Sequence, residues 1–216
     1  MIYAWQDKLE KKIREYLKGY TACHDFFHLD RTKNTALRIA KNIDCDEETL
    51  VAAVLLHDTG YKNHEDDDKN HFKYSMEIAK DWLPEVGFPD SKLGDVLEAI
   101  RLHDNYAWGH DGEDTNHVET KILQDADRLE SMGAIGISRI AYYYGERGYP
   151  IVTDEPVPES KEVWLNHSFL DALDRGALQK YDNLNFPISK EMAIKRYKFT
   201  KLFLDQLKSE IKSEDL

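Results

Sequence analysis

Cysteine is nearly absent from this 216-residue chain, which holds only Cys23 and Cys45. Two cysteines build no disulfide framework and fit a reducing compartment. Cys23 stands beside His24, but no Cys-x-x-Cys pair accompanies it, so a thiolate zinc site is not supported. Long apolar runs are missing too. No stretch approaches the roughly 20 apolar residues of a membrane span, and the opening MIYAWQDKLEKK lacks the apolar core of a signal peptide. The expectation is a soluble, cytoplasmic protein without a membrane partner. Positive charge is also in deficit, with 29 Lys and Arg against 41 Asp and Glu and a net charge of −12. That balance argues against binding nucleic-acid duplexes or anionic membranes, which require a basic surface. It does not exclude a small anionic substrate, because a metal ion and a few local cations override the global field.

What is present suffices for a core: 41% hydrophobic residues, with four Trp, twelve Tyr and eight Phe. Apolar residues recur at helical spacing, as in Leu9, Ile13, Tyr16, Leu17 and Tyr20. A second helix carries Ala36, Leu37, Ile39 and Ala40, with Asp30 or Thr32 as its expected cap. A third opens on Asp46-Glu47-Glu48, acids favoured by the helix dipole, and runs through LVAAVLL into His57-Asp58, with Gly60 as the expected stop. Further helices are expected over about 70–83, 90–104, 117–131, 134–145 and 188–213. Strand signals are almost absent, which makes the class all-α. The expected organisation is a single domain over 1–216, with a helical bundle over about 20–145 and a C-terminal helical lobe over about 146–216. Two irregular stretches interrupt it, the acidic 62–70 and the Gly/Pro-rich 145–160.

The chemistry is carried by His28, the pair His57-Asp58, and Asp127, in the phrases HDFFHLDRT, AAVLLHDTGY and KILQDADRLESMGAIGISR. Two imidazoles and two carboxylates make a mixed nitrogen/oxygen set suited to Mn, Fe, Co, Ni or Mg, with positions left for water and substrate. Neighbouring helical residues point about 100° apart, so His57 and Asp58 reach one ion only near a helix end. Arg31 follows His28 by one turn, placed to bind a phosphate oxygen or to pair with a carboxylate. His24-Asp25 is a dipeptide of the same type outside an apolar helix, and is read as lying beside the ligands or facing substrate. Of Asp125 and Asp127 one must face inward; a salt-bridged helix surface suits Asp125 better.

With these phrases the sequence resembles the HD-domain metal-dependent phosphohydrolases. Their pattern H…HD…D falls on His28, His57-Asp58 and Asp127, and DADRL…GAIGISR over 125–139 matches a branch of small bacterial members. The likeness extends to His28-x-x-Arg31, His71-x-x-x-Ser75, Ala99-Ile100-x-x-His103 and Trp164-Leu165-Asn166-His167. This chain departs from the branch at Asp104-Asn105, where Ser-Phe is usual, at Thr32, where Val is usual, and in the run 106–117. The departures bear on the substrate more than on hydrolysis.

The resemblance implies a helical HD fold and a divalent-metal-dependent phosphohydrolase. Its substrate would be a small phosphate ester or anhydride, that of a nucleotide, with a nucleoside triphosphate pyrophosphohydrolase as the sharpest form. Manganese is the ion first expected. His28, His57, Asp58 and Asp127 would hold it, and Asp58 or a nearby carboxylate or imidazole would take the proton of the attacking water. Arg31, Lys62 and Arg128, in falling order, would meet the phosphoryl charge. In relatives with paired metals, extra histidines between the HD pair and the last Asp complete a second site, and His64, His71, His103, His110 and His117 lie in that interval. The HH dipeptide of the binuclear HD-GYP relatives is missing, however. One ion is therefore expected, with His71 and His103 as donors to the phosphate and His64, His110 and His117 on the surface. Two other readings stand beside this one: a cyclic or linear dinucleotide phosphodiesterase, favoured by two metals, and a non-catalytic metal-holding module. The sequence leaves a homo-oligomer open.

Overall fold

The computed structural model describes residues 3–62, 68–104, 115–156 and 167–214. Among the described residues there is no strand, in agreement with the all-α reading, and no helix is long and apolar enough to cross a membrane. The expected surface histidines His64 and His110, most of the run 106–117, and Trp164 to Asn166 lie outside the described residues. The chain divides into two compact units, Met1–Ala126 and Asp127–Leu216.

In the first unit, α1 spans Ala4–Tyr16, α2 Phe26–Ala40, α3 Glu47–Leu56, α4 His71–Val86 and α5 Leu93–Leu102; α6, Val118–Glu130, begins in this unit. Helix α3 is its axis. Every residue from Thr49 to Leu56 is buried, and α1, α2, α4 and α5 all pack against it. A helix apolar on all sides is stable only in such surroundings. Leu50, Leu55 and Leu56 are fully buried, each contributing roughly 1.5–3 kcal/mol. The start of α6 is tied in by Gln124, whose amide donates to the Leu102 carbonyl at 2.8 Å, and by Glu119, which accepts from the Asp46 amide at 2.5 Å.

Asp46 caps α3 by accepting from the Thr49 amide at 3.0 Å, and Lys92 bridges it to Glu48 at 2.7 and 2.8 Å. Burial works against its charge, but the Lys92 hydrogen bond and the Thr49 amide outweigh burial and hold the carboxyl below its ordinary range. The stabilisation is therefore present above the ordinary carboxylate range and is lost as pH falls through the lower folded value. Asp46→Ala is expected to cost about 1 kcal/mol in urea unfolding at neutral pH, with the gap to the parent closing in acid.

Two expected helix boundaries are corrected. Helix α2 starts at Phe26 with Asp25 as its cap, accepting from the His28 amide at 2.8 Å, so Asp30 and Thr32 lie inside the helix. Helix α3 ends at Leu56 with His57 as its C-cap, and a 3-10 turn, Thr59–Tyr61, follows. Gly60 is thus a point of close approach rather than the stop. A Cβ there would lie 2.1 Å from the His71 carbonyl oxygen and 2.6 Å from the Ser75 amide nitrogen. Ser75 closes this junction: its hydroxyl accepts from the Gly60 amide at 2.9 Å and donates to the His57 carbonyl at 2.6 Å.

In the second unit, α7 spans Gly133–Glu146 and α8 Pro187–Ile211, with short turns including a π-helical one, Ala172–Ala177, between them. Ile137 and Tyr144 of α7 share a core with Phe169, Leu173 and Leu204. This helix, expected as part of the metal-binding bundle, groups with the C-terminal helices because its apolar face packs there. The GAIG phrase has a steric cause. Gly133 has φ 75° and its amide donates to Thr200 Oγ1 at 2.7 Å, while a Cβ on Gly136 would meet the Ser131 backbone at 2.2 Å. His167, the described end of the late motif, bonds Asp171 at 2.9 Å beside the capping Ser168.

Candidate metal centre

Four helix ends and the turn after α3 converge in the first unit. His28 comes from the first turn of α2, His57 caps α3, Asp58 follows it, His71 opens α4 and His103 caps α5. All five are buried, His28 and His57 completely. Asp58 is the hub. Its Oδ2 lies 3.1 Å from His28 Nε2 and 3.3 Å from His57 Nε2, and its Oδ1 lies 3.3 Å from His103 Nε2 and 3.5 Å from His71 Nε2.

The opposite ring nitrogens determine which lone pairs face inward. His57 Nδ1 donates to the Val54 carbonyl at 2.8 Å, and His103 Nδ1 to the Ile100 carbonyl at 2.6 Å. A carbonyl only accepts, so each Nδ1 carries the proton and a neutral ring offers Nε2 as a bare donor atom. Thr32 does the same for His28. Its hydroxyl donates to the His28 carbonyl at 2.9 Å, leaving Oγ1 to accept from Nδ1 at 3.4 Å. Thr32, expected near the substrate, thus orients the candidate ligand His28; such partners of a ligating histidine tune metal affinity.

His28, His57, Asp58 and Asp127 each offer one ligand atom, and these atoms all lie within 4.8 Å of one another. Asp127 is half-buried on α6, whereas Asp125, expected on a salt-bridged surface, is fully buried. Convergent imidazole lone pairs and buried carboxylates repel one another unless a cation lies among them, so the residues fit a divalent ion. Burial pushes the Asp58 carboxyl up, but charge on His57 and hydrogen bonds from His103, His28 and His57 hold it well below the usual range. Burial pushes His103 down, but the charge of Asp104 and the bond to Asp58 raise it to about 9.

The other expected site residues fall into two groups. His71 and His103 join the cluster, their Nε2 atoms 3.1 Å apart. Arg31 is half-buried one turn after His28. Lys62 is engaged at the C-terminal end of α1, where its ammonium donates to the Tyr16 carbonyl and sits 4.7 Å over the Tyr16 ring. Arg128, expected as a substrate cation or exposed side chain, is buried and donates to the Asn183 carbonyl. The His24 ring stacks on Tyr61 at 4.0 Å, and Tyr61 stacks on His71 at 4.1 Å. Tyr61 escaped the sequence reading although it follows the HDTG phrase. It forms one wall of His71, and only an aromatic ring at this position in the turn hints at that role.

Comparison with known proteins agrees with the geometry. Residues 26–132 match the HD domain, a span holding all five clustered residues and Asp127. The chain is 24% identical to protein YpgQ of Bacillus subtilis over 209 residues, 97% of this chain and 95% of that one. The structure of YpgQ in complex with ADP aligns over 98% of this chain and 97% of its own with TM-score 0.74 at 23% identity. A Lactobacillus plantarum protein of known structure aligns over 99% and 100% with TM-score 0.82 at 24% identity. A predicted HD superfamily hydrolase from an uncultured Thermotogales bacterium aligns over 94% and 91% with TM-score 0.61 at 27% identity. Buried histidines around an aspartate at the end of an apolar helix, within a matched HD domain, place this chain in the HD-domain family of metal-dependent phosphohydrolases.

Proposed function

We propose that the chain hydrolyses a phosphate anhydride or ester of a nucleotide, with a nucleoside triphosphate as the first candidate and manganese as the first candidate ion. The observation that carries this reading is the ligand group itself, His28, His57, Asp58 and Asp127, in which two of the imidazoles have their outer nitrogens held by Val54 and Thr32. When bound, a divalent ion there supplies a water of lowered pKa and a counter-charge for a phosphoryl oxygen. The nucleotide part draws support from the ADP bound by YpgQ. Asp58, buried and anionic, is the candidate to accept the proton of the attacking water. Arg31, one turn from a ligand, is the first candidate for the phosphoryl oxygens. Lys62 and Arg128, also candidates for that charge, already serve backbone carbonyls and would have to exchange those bonds for substrate.

The test is release of phosphate and pyrophosphate from a nucleotide panel, using stripped protein with Mn, Mg, Co or Ni restored. Metal-dependent release is the expected result, and its product identifies the phosphorus attacked. Silence across the panel with metal bound would remove the nucleotide. Arg31→Ala is expected to lower kcat/KM roughly 10²–10³-fold with metal content unchanged; loss of metal would assign Arg31 a structural role instead.

A further inference from the structure

The first unit keeps its large apolar side chains inside, with one exception. Among its described residues Phe27 alone is exposed, at 62%, while the other exposed large hydrophobics, Tyr142, Phe199 and Leu202 among them, belong to the second unit. Its neighbour Phe26 is buried, with Arg14 Cζ 3.5 Å from its ring centroid. Two adjacent phenylalanines on one helix thus have opposite surroundings.

Exposure alone makes no site, since single apolar side chains are common on surfaces. The place of Phe27 does. It stands in the first turn of α2, immediately before His28 of the candidate metal centre, and Arg31 follows it by four residues. At about 100° per residue, His28 lies about 100° around the helix from Phe27, and Arg31 lies about 40° from it in the same direction. Arg31 therefore falls between the two. From the cluster outward the helix presents the imidazole, the guanidinium proposed for the phosphoryl oxygens, and the exposed ring. Phe27 and Arg31 are about 6 Å apart along the axis and share one face. Phe27 is the apolar head of an otherwise polar stripe, in which Asn34 and Arg38 are exposed and Asp30 is paired with Lys33 at 2.9 Å. A nucleotide carries its chemistry in the same order: phosphates for the metal and the guanidinium, then a sugar, then a base with an aromatic face.

We infer that Phe27 is the residue on which the nucleobase stacks, which makes it a determinant of nucleotides over simple phosphates. The inference rests on the nucleotide reading above and names the group that recognises the base. Every base has a π face, so stacking on Phe27 selects for a base without choosing among bases.

The experiment is steady-state hydrolysis of the nucleoside triphosphate turned over fastest, with tripolyphosphate, the same phosphate chain without sugar or base, as competitor. It uses the full metal-loaded chain, Phe27→Ala and Phe27→Tyr. Phe27→Ala is expected to raise KM for the nucleotide about 5–100-fold, with the tripolyphosphate inhibition constant at its wild-type value and helical circular dichroism unchanged. Phe27→Tyr, which keeps the ring, should keep the wild-type KM. An unchanged KM in Phe27→Ala, or a rise matched by an equal rise in the tripolyphosphate constant, would overturn the inference and leave the hydrolase reading in place. Absence of turnover for every nucleoside triphosphate would overturn the nucleotide reading and the inference with it.

Discussion

Asp58→Ala is expected to abolish turnover and strip the metal while leaving the helical fold standing. Four imidazole nitrogens approach the two oxygens of this one carboxylate at 3.1–3.5 Å, so its removal takes away more than one ligand contact. The histidines would face one another in a buried space without the anion that balances a cation or their own protons. Loss of one preorganised electrostatic group costs roughly 10²–10³ in rate, and Asp58 is proposed both as metal ligand and as base. A fall on the order of 10³-fold or more is therefore the reasonable magnitude. Helix α3 stops before Asp58, and its eight buried residues Thr49 to Leu56 are untouched. Circular dichroism should accordingly match wild type while metal analysis does not. His57→Ala should give the same pair of results, since its Nε2 lies 3.3 Å from the same oxygen. Full activity in either variant would show that the site lies elsewhere.

Gly60→Ala is the substitution with the largest expected cost to stability. Its Cβ would fall 2.1 Å from the His71 carbonyl oxygen, 2.6 Å from the Ser75 amide nitrogen and 2.9 Å from the Ser75 hydroxyl. Two of these obstacles are backbone atoms of α4, so the first turn of that helix must move away from the turn after α3. The same displacement would break both Ser75 hydrogen bonds and carry His71 off the cluster. Overpacking of this kind costs about 1–3 kcal/mol, occasionally more, and the variant should unfold at lower urea with weakened metal retention. Gly94→Ala is the internal control. It lies in α5 with nothing within 4 Å of its Cβ, and a helical Gly-to-Ala change there should gain about 0.5–1 kcal/mol. Equal effects of the two substitutions would show that space at Gly60 is not what matters.

Much of the fold was legible because helices are local. The start of α3 at Asp46 and the course of α4, α6, α7 and α8 followed from apolar spacing and from acids in a first turn. Where a boundary depended on a side chain reaching back to the backbone, the reading slipped. Asp25 rather than Asp30 caps α2 because its carboxylate accepts from the amide three residues on. Gly60 reads as a helix stop in one dimension, and its real constraint is α4 crossing in front of it. Asp125 and Asp127 differ in burial in a way that two acids on one helix do not announce.

The sequence alone determined the fold class and the candidate ligand types: two imidazoles and two carboxylates, in an acidic chain poor in cysteine, suit a hard or borderline divalent ion in an all-α frame. Those are properties of residue type and short-range spacing. Tertiary structure alone decided how the groups are used. Asp58 meets His28 across 30 residues, His71 meets His103 across 32, and Lys62 is held by Tyr16 across 46. Which nitrogen of a histidine faces a ligand, and whether a lysine is left for substrate, depends on partners that packing brings together. No local pattern encodes that choice, because the energy that makes it comes from burial and hydrogen bonds between distant segments.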